Sequence, residues 1–396
     1  MLSQEPVTGV ITRGRYTYQL SEVIRHRAWV EIDRAALRNN VRQIRSLLAP
    51  DTELMAVIKA DAYGHGAIKV AGTVLESGAR SLAIATIGEG IELREAGIAA
   101  PILILGAVNT PAEVAALAHW NLQPTLGNAE QVEVFASVME RLEQVLPVHL
   151  KLDTGMSRLG TLWNRAADLV ETALSRPSLK IASIYSHFAT ADDPDPTIME
   201  LQRRRFQEAI ARLRAGGYRP PCLHIANSAA TLADRSLHLD RVRVGLALYG
   251  LYPATHLSEK IALQPVLQVK ARVSQVKTIP AGSGVSYGHQ YVCDRETKIA
   301  VVGIGYADGV PRNLSNRLKV LVRGRVAPQI GAITMDQLMI DASAIPDLKP
   351  GDVVTLIGRD GGREITAEDW ARELGTISWE ILCGFKHRLP RVSVGE

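Results

Sequence analysis

Lys59 directly follows the apolar run 54–58, Tyr63 lies four residues on, and Gly64-His65-Gly66 closes the segment. A lone lysine at a strand end is ordinarily a surface residue. Between an apolar strand and a tight turn, however, an amine is held in one place. Partial desolvation there lowers a lysine's pKa toward neutrality and leaves it a better nucleophile or base. Four more residues stand just after apolar runs: Arg158 after 148–152, His187 after 181–185, Ser228 after 223–226 and Gly245 after 241–244. A histidine alone is more often a core residue; its place at a run's end favours a working role. Small residues with free backbone N–H groups, as at Gly245-Leu246, suit the close approach of an anion.

The elements that must position these residues are legible as periodicity. Eight short apolar runs (54–58, 82–86, 102–105, 122–125, 148–152, 181–185, 223–226 and 241–244) are mostly separated by segments with helical spacing. Continuous apolar runs suit a parallel sheet buried on both faces. Eight strand–helix units in roughly 230 residues predict an α/β fold of the (β/α)8 TIM-barrel type, with its active site at the C-terminal ends of the strands. Asp33 is placed to cap an opening helix with Leu37, Val41, Ile44 and Leu48 on one face. After about Leu251 the pattern becomes alternating (266–276, 298–304, 319–322, 329–333, 338–340 and 353–357), with a late helix near 367–374. That predicts a mostly antiparallel C-terminal β domain. The expected division is a flexible extension over residues 1–25, a barrel over 26–255 and a β domain over 256–396.

Net charge is 45 − 41 = +4. The longest basic run, Arg203-Arg204-Arg205, sits in a helical pattern whose other face carries Phe206, Ile210 and Leu213. It reads as a solvated helix face, so no nucleic-acid partner is expected. Cys222, Cys293 and Cys383 form no CxxC pair, which fits a reducing compartment and a cytoplasmic protein. Residues 1–25 lack the apolar core of a signal peptide, and no run is long enough to cross a membrane.

Residues 56–66, Ala-Val-Ile-Lys-Ala-Asp-Ala-Tyr-Gly-His-Gly, resemble the cofactor-attachment segment of alanine racemases, and the likeness extends from about Trp29 to Arg391. It includes segments 149–160 with Lys151 and Arg158, 185–192 with His187, 224–230 with Asn227 and Ser228, and 241–250 with Arg243, Gly245 and Leu246. Residues 284–288 with Tyr287, 303–309 with Tyr306 and 334–337 with Met335 complete it. The resemblance implies pyridoxal 5'-phosphate on Lys59, with Tyr63, His187, Asn227 and Ser228 around it. It implies Arg158 at the cofactor's phenolic oxygen and the substrate carboxylate, Arg243 at the pyridine nitrogen, and Gly245 and Leu246 offering N–H groups to the phosphate. Lys151 matches a lysine carbamylated in some relatives; a carbamate would orient Arg158 where a free ammonium would repel it.

The implied reaction interconverts L-alanine and D-alanine. Lys59 handles the proton of D-alanine and Tyr287 of the partner subunit that of L-alanine, so the implied assembly is a homodimer with shared active sites. Met335 would meet the substrate carboxylate and Tyr306 would narrow the entrance. His187 and Arg243 form the network expected to tune Tyr287. In one place the chain departs from many relatives: Trp379 stands where they carry a tyrosine near the phosphate, and an indole donates but cannot accept a hydrogen bond. That leaves a broader amino-acid racemase as the alternative. Decarboxylases of the same architecture generally place an acidic residue at the pyridine nitrogen, where this chain has Arg243. A non-catalytic cofactor carrier resembles the barrel alone.

Overall fold

The computed structural model describes residues 27–385 and 387–395, and the backbone of Val10–Arg13 and Tyr16–Gln19. Those two short strands pair antiparallel, with Val10 opposite Gln19. The expected flexible extension thus contains a hairpin, whose β-branched and aromatic residues favour extended backbone. The rest of residues 1–26 lies outside the described residues. The chain forms two compact units, Arg34–Gln264 and a second made of Met1–Asp33 with Pro265–Glu396.

Strand β1 (Ala28–Asp33) belongs to the second unit, where it pairs antiparallel with residues of Leu267–Ile279. The barrel therefore begins at helix α1 (Arg34–Leu47), not at residue 26, and ends at 264, not 255. Nothing separates β1 from α1 in sequence, so the change of unit leaves no composition signal. Leu37, Val41 and Ile44 of α1 are fully buried as their spacing requires. Asn40 ties the helix to the barrel's exit: its Nδ2 donates to the carbonyls of Leu248 (3.0 Å) and Gln264 (2.8 Å).

Eight parallel strands follow: β2 (Glu53–Val57), β3 (Ser81–Ile84), β4 (Ile102–Ala107), β5 (Gln123–Leu126), β6 (Leu146–Asp153), β7 (Leu179–Tyr185), β8 (Leu223–His224) and β9 (Arg241–Val244). They run in the order β8-β7-β6-β5-β4-β3-β2-β9. The ring is nearly closed by the N–H of Arg243 donating to the Ala226 carbonyl at 3.0 Å. Every expected strand is present, though β8 is only two residues long. A bulge at Ala182 lets Ser183 sit opposite His149, because the β6–β7 pairing slips by one residue there. Bulges of this kind re-aim side chains. Ser183 is consequently wholly buried.

The second unit holds a sheet of β10 (Leu267–Ile279), β11 (Thr297–Val302), β12 (Lys319–Val322), β13 (Arg325–Pro328), β14 (Leu338–Asp341) and β15 (Val353–Asp360), in the order β13-β12-β15-β10-β11-β14. These pairs are antiparallel; among the described residues of this unit only β16 (Arg391–Val394) runs parallel to its neighbour, β1. The strand expected at 329–333 is displaced to β13. Gln329 retains a single bridge to Ile340, and its amide nitrogen donates to the carbonyls of Ile330 and Gly331, with Gly331 at φ +74°. A left-handed residue turns the chain out of the strand. The late helix, Ala367–Leu374, is where its pattern put it, with a Thr366–Asp369 capping box and Gly375 as its left-handed C-cap.

Candidate active site

Lys59 lies two residues past the end of β2, and the backbone beyond it has an unusual hand. Ala60, Asp61, Ala62 and Tyr63 lie at φ +53°, +52°, +54° and +55°, one turn of left-handed helix built from L-residues. Such backbone costs roughly 1–2 kcal/mol per residue. Several bonds hold it. The Ala62 N–H donates to the Ile58 carbonyl at 2.9 Å, Asp61 Oδ1 accepts the N–H of Ala67 at 2.7 Å, and Glu89 Oε1 accepts that of Ala60 at 2.6 Å. His65 Nδ1 lies 2.9 and 3.0 Å from the carbonyls of Ala62 and Tyr63, so that nitrogen carries the ring proton. The result is a half-buried Lys59 at the barrel's C-terminal end, with the Tyr63 ring turned back against Tyr249 at 5.0 Å between centroids.

Opposite this turn is a small donor-lined pocket wall. Ser228 Oγ accepts the N–H groups of Gly245 (3.0 Å) and Ala247 (3.4 Å). A Cβ at Gly245 would stand 2.8 Å from the Tyr63 hydroxyl, so only glycine leaves that space. The sequence reading named Gly245 and Leu246 as donors; in the structure Ala247 shares Ser228 with Gly245. Asn227 Oδ1 caps the turn that follows by accepting the Ala230 N–H at 3.0 Å. With its oxygen taking both N–H groups, Ser228 keeps its hydroxyl proton to donate to a phosphate oxygen.

Arg243 lies between these features and is 3% exposed. Its guanidinium donates to His224 Nδ1 (2.6 Å), the Ser186 carbonyl (2.7 Å), His187 Nδ1 (3.1 Å) and the Ile225 carbonyl (3.3 Å). Its carbon lies 5.0 Å from the centre of the Tyr185 ring. Burial lowers its pKa to about 10, which still leaves it charged at neutral pH. A guanidinium only donates, and that fact orders a chain of bonds across the barrel interior. His224 Nδ1 must accept, so its Nε2 donates to Ser183 Oγ at 2.8 Å. Ser183 then donates to His149 Nδ1 at 2.6 Å, and His149 Nε2 donates to Gln123 Oε1 at 2.9 Å. Both histidines are neutral Nε2–H tautomers in this pattern.

Burial and then the neighbouring arginines hold His149 at about 3 and His224 well below the ordinary histidine range. Such groups take up protons in the unfolded chain near pH 6.5 but not in the folded one. Their stabilisation is complete above about 6.5 and declines as pH falls from there toward 3. At about pH 4.5 the His149 contribution alone is down by roughly 2–3 kcal/mol. Urea unfolding at neutral and acid pH should therefore show less acid sensitivity in His149→Gln than in the wild type. Equal sensitivity would contradict the neutral chain.

The remaining barrel candidates meet here. His187 is kept neutral by burial and then by the charge of Arg243. It therefore joins the network as an acceptor, and the positive charge resides on Arg243. Lys151 is 6% exposed, with its ammonium 5.7 Å from the Tyr185 ring centre. Its pKa falls to about 8 through burial, then the charges of Arg158 and Arg243. Arg158 itself is exposed. The charge of Lys59 is felt at both Lys151 and His187.

The second unit gathers the other candidates on loops braced to one another. Ser286, beside Tyr287, donates to the Ala332 carbonyl at 2.7 Å. The N–H of Tyr306 donates to the Thr334 carbonyl and that of Ala307 to the Met335 carbonyl, at 2.9 and 3.0 Å. A Cβ at Gly305 would fall 2.2 Å from the Thr334 oxygen, so glycine permits this contact. Asp308, fully buried, is gripped by both terminal nitrogens of Arg27 (2.8 and 2.5 Å). Tyr287, Met335 and Tyr306 are 74%, 53% and 41% exposed. Trp379 is half-buried on the helix Ser378–Cys383. Among the described residues, no group of acidic, histidine and cysteine side chains could hold a metal ion.

Two family models match this chain: the alanine racemase N-terminal domain over residues 32–253 and the alanine racemase C-terminal domain over 266–393. The chain belongs to the alanine racemase family. An alanine racemase of Nostoc sp. is 63% identical over 370 residues, covering 93% of this chain and 96% of the relative. One from Synechocystis sp. is 62% identical, covering 94% of this chain and 100% of the relative. The alanine racemase structure from Clostridium difficile has a TM-score of 0.90 at 34% identity, covering 94% of this chain and 96% of that one. The Bacillus anthracis alanine racemase with bound L-Ala-P has a TM-score of 0.88 at 36% identity, with the same coverage. This chain is accordingly a racemase by family, an isomerase with a barrel and a β domain.

Sequence motifs marked most of the ends of this racemase's barrel strands but missed their supports. Ala247, His224, Ser183, Gln123 and Glu89 were not assigned roles. His224 opens the segment that carries Asn227 and Ser228, and its place beside Arg243 follows from the adjacency of β8 and β9.

Proposed function

We propose that this chain interconverts L-alanine and D-alanine with pyridoxal 5'-phosphate held on Lys59, as a cytoplasmic homodimer whose two active sites are shared. The observation that carries the reading is one strand-end cluster: Lys59 on a braced left-handed turn, the donors at Gly245, Ala247 and Ser228, and a locked Arg243. The pocket fits the cofactor, since phosphate donors, a lysine and a donor-only arginine are all present. Bound pyridoxal phosphate would supply stabilisation of negative charge at the amino acid's α-carbon. Tyr63 and Ser228 would bind the phosphate end, with the N–H groups of Gly245 and Ala247 holding Ser228 Oγ in place. Asn227 shapes the turn carrying Ser228, and Leu246 would line the same end of the cofactor.

Racemisation needs a proton removed on one face and returned on the other. Lys59 serves the D-alanine side, and Tyr287 of the partner subunit serves the L-alanine side. The exposure of Tyr287, Met335 and Tyr306 supports burial by a second copy, because such aromatic and methionine side chains favour interfaces. Arg158 and the Met335 N–H would then bind the substrate carboxylate, while Tyr306 restricts the entrance. Arg243 and neutral His187 would position the tyrosine hydroxyl.

The three cysteines are free, which suits a reducing cytoplasm. Among the described residues no helix is long and apolar enough to cross a membrane. Neither a membrane nor a nucleic acid enters the proposal. Trp379 gives the second reading its one foothold: a bulkier gate residue could alter side-chain selection. Initial rates on alanine, serine and lysine test this. Alanine far ahead supports the proposal; comparable rates mean a broader racemase; no racemisation by a protein loaded with the cofactor overturns both.

Lys151 is proposed as a carbamate in the working enzyme. With a pKa of about 8, much of its amine is unprotonated near that pH, and only an unprotonated amine adds carbon dioxide. Losing the charge removes repulsion from Arg158, and the carbamate oxygens accept from it. Carbon-13 NMR with labelled bicarbonate should show a carbamate signal that is absent in Lys151→Ala. Identical spectra would rule the carbamate out.

A further inference from the structure

The geometry points to Glu89 as the residue that positions Lys59, acting through the backbone that follows it. This rests on the reading of Lys59 as the amine that captures the cofactor's aldehyde. Glu89 lies in the first turn of the helix Ile87–Glu95 and uses its two oxygens differently. Oε2 completes a capping box, accepting the N–H groups of Ala85 at 2.7 Å and Thr86 at 3.1 Å. Oε1 turns away and accepts the N–H of Ala60 at 2.6 Å. Ala60 follows Lys59 and is the first of the four left-handed residues.

The next strand end supplies an internal comparison. Helix Pro111–His119 begins with the same capping box, Thr110 and Glu113. Glu113 Oε2 accepts the N–H groups of Asn109 (3.2 Å) and Thr110 (3.0 Å) and the Thr110 hydroxyl (2.8 Å). All of these are groups at its own helix start. Capping alone therefore does not require the second bond that Glu89 makes. The left-handed turn does. L-residues relax readily to the right-handed region, and a bond at the first left-handed N–H fixes where the turn starts. It thereby fixes the direction in which Lys59 leaves β2. Asp61 and His65 secure the turn's far end, through Ala67 and through the Ala62 and Tyr63 carbonyls. Glu89 is the side chain that secures the end next to the amine.

Glu89→Ala and Glu113→Ala separate this from helix capping. In the cofactor-free protein, hydrogen exchange at the bonded amides of Ala62, His65 and Gly66 should quicken about tenfold in Glu89→Ala, the effect of losing one charge-assisted bond. It should stay at the wild-type rate in Glu113→Ala. Capture of pyridoxal phosphate at Lys59, trapped by borohydride and located by peptide mass, should slow by a similar factor only in Glu89→Ala. Glu89→Gln keeps one carbonyl oxygen for Ala60 and should recover part of the rate. If Glu89→Ala does not fold, Glu89→Gln against Glu113→Gln carries the comparison. Equal exchange and capture in the two alanine variants would overturn the proposal. Absence of capture in the wild type would instead defeat the reading of Lys59, while the exchange comparison would still decide whether Glu89 holds the turn.

Discussion

Arg243→Glu is expected to lower racemisation by roughly 10^2–10^3-fold, the usual cost of removing a preorganised charged donor from an active site, and to raise pyruvate release per racemisation event. The structure makes the reason specific. Two carbonyls and two histidine nitrogens hold the guanidinium, so it cannot swing aside. Its pKa of about 10 keeps it a donor at neutral pH. A donor-only group at the cofactor's ring nitrogen, the place proposed for Arg243, would leave that nitrogen unprotonated and make the ring a weaker acceptor of electrons. A glutamate can accept from a protonated nitrogen and so reverses that preference. With its ring nitrogen protonated, the bound cofactor would stabilise negative charge more strongly and give more time for a proton to return at the wrong carbon, which would end in transamination. The measurement is pyruvate formed per D-alanine formed from L-alanine. A ratio unchanged from the wild type would sink the argument.

Tyr287→Phe is expected to lower racemisation by about 10^2–10^4-fold, the range of a lost acid–base group, with little effect on folding because the residue is 74% exposed in the chain. Its sharper consequence concerns assembly. If each site joins Lys59 of one subunit to Tyr287 of the other, neither Lys59→Ala nor Tyr287→Phe is active alone. A heterodimer of the two has one wholly normal site. Statistical exchange of equal amounts should then restore about a quarter of wild-type activity, since half the dimers are mixed and half their sites intact. No recovery after demonstrated subunit exchange would mean that the two residues do not meet across a dimer.

The barrel was legible because its strands are continuous apolar runs and its candidate site residues follow them directly, as Lys59 follows 54–58 and Gly245 follows 241–244. Strand β1 was misassigned for want of any linker: six residues of sheet run straight into α1. The hand of the turn after Lys59 was invisible because alanine and aspartate carry no left-handed preference strong enough to announce it; the bond from Ala60 to Glu89, 29 residues on, cannot be read from local sequence. Nor could spacing reveal the chain from Arg243 to Gln123. Its members lie on β5, β6, β7, β8 and β9, and the Ala182 bulge that brings Ser183 to His149 leaves no mark in an apolar run. Tyr287, Tyr306 and Met335 were found through motifs, and their exposure is what only the fold could supply.

The most direct test of the central claim is formation of D-alanine from L-alanine by purified protein supplied with pyridoxal phosphate, with Lys59→Ala assayed in parallel. The account predicts conversion by the wild type and a loss of at least about 10^3-fold in the variant, which lacks both the attachment amine and one of the two bases. Wild-type conversion that survives intact in Lys59→Ala would contradict the role of Lys59. No conversion by wild-type protein that binds the cofactor covalently would contradict the assignment of alanine as substrate.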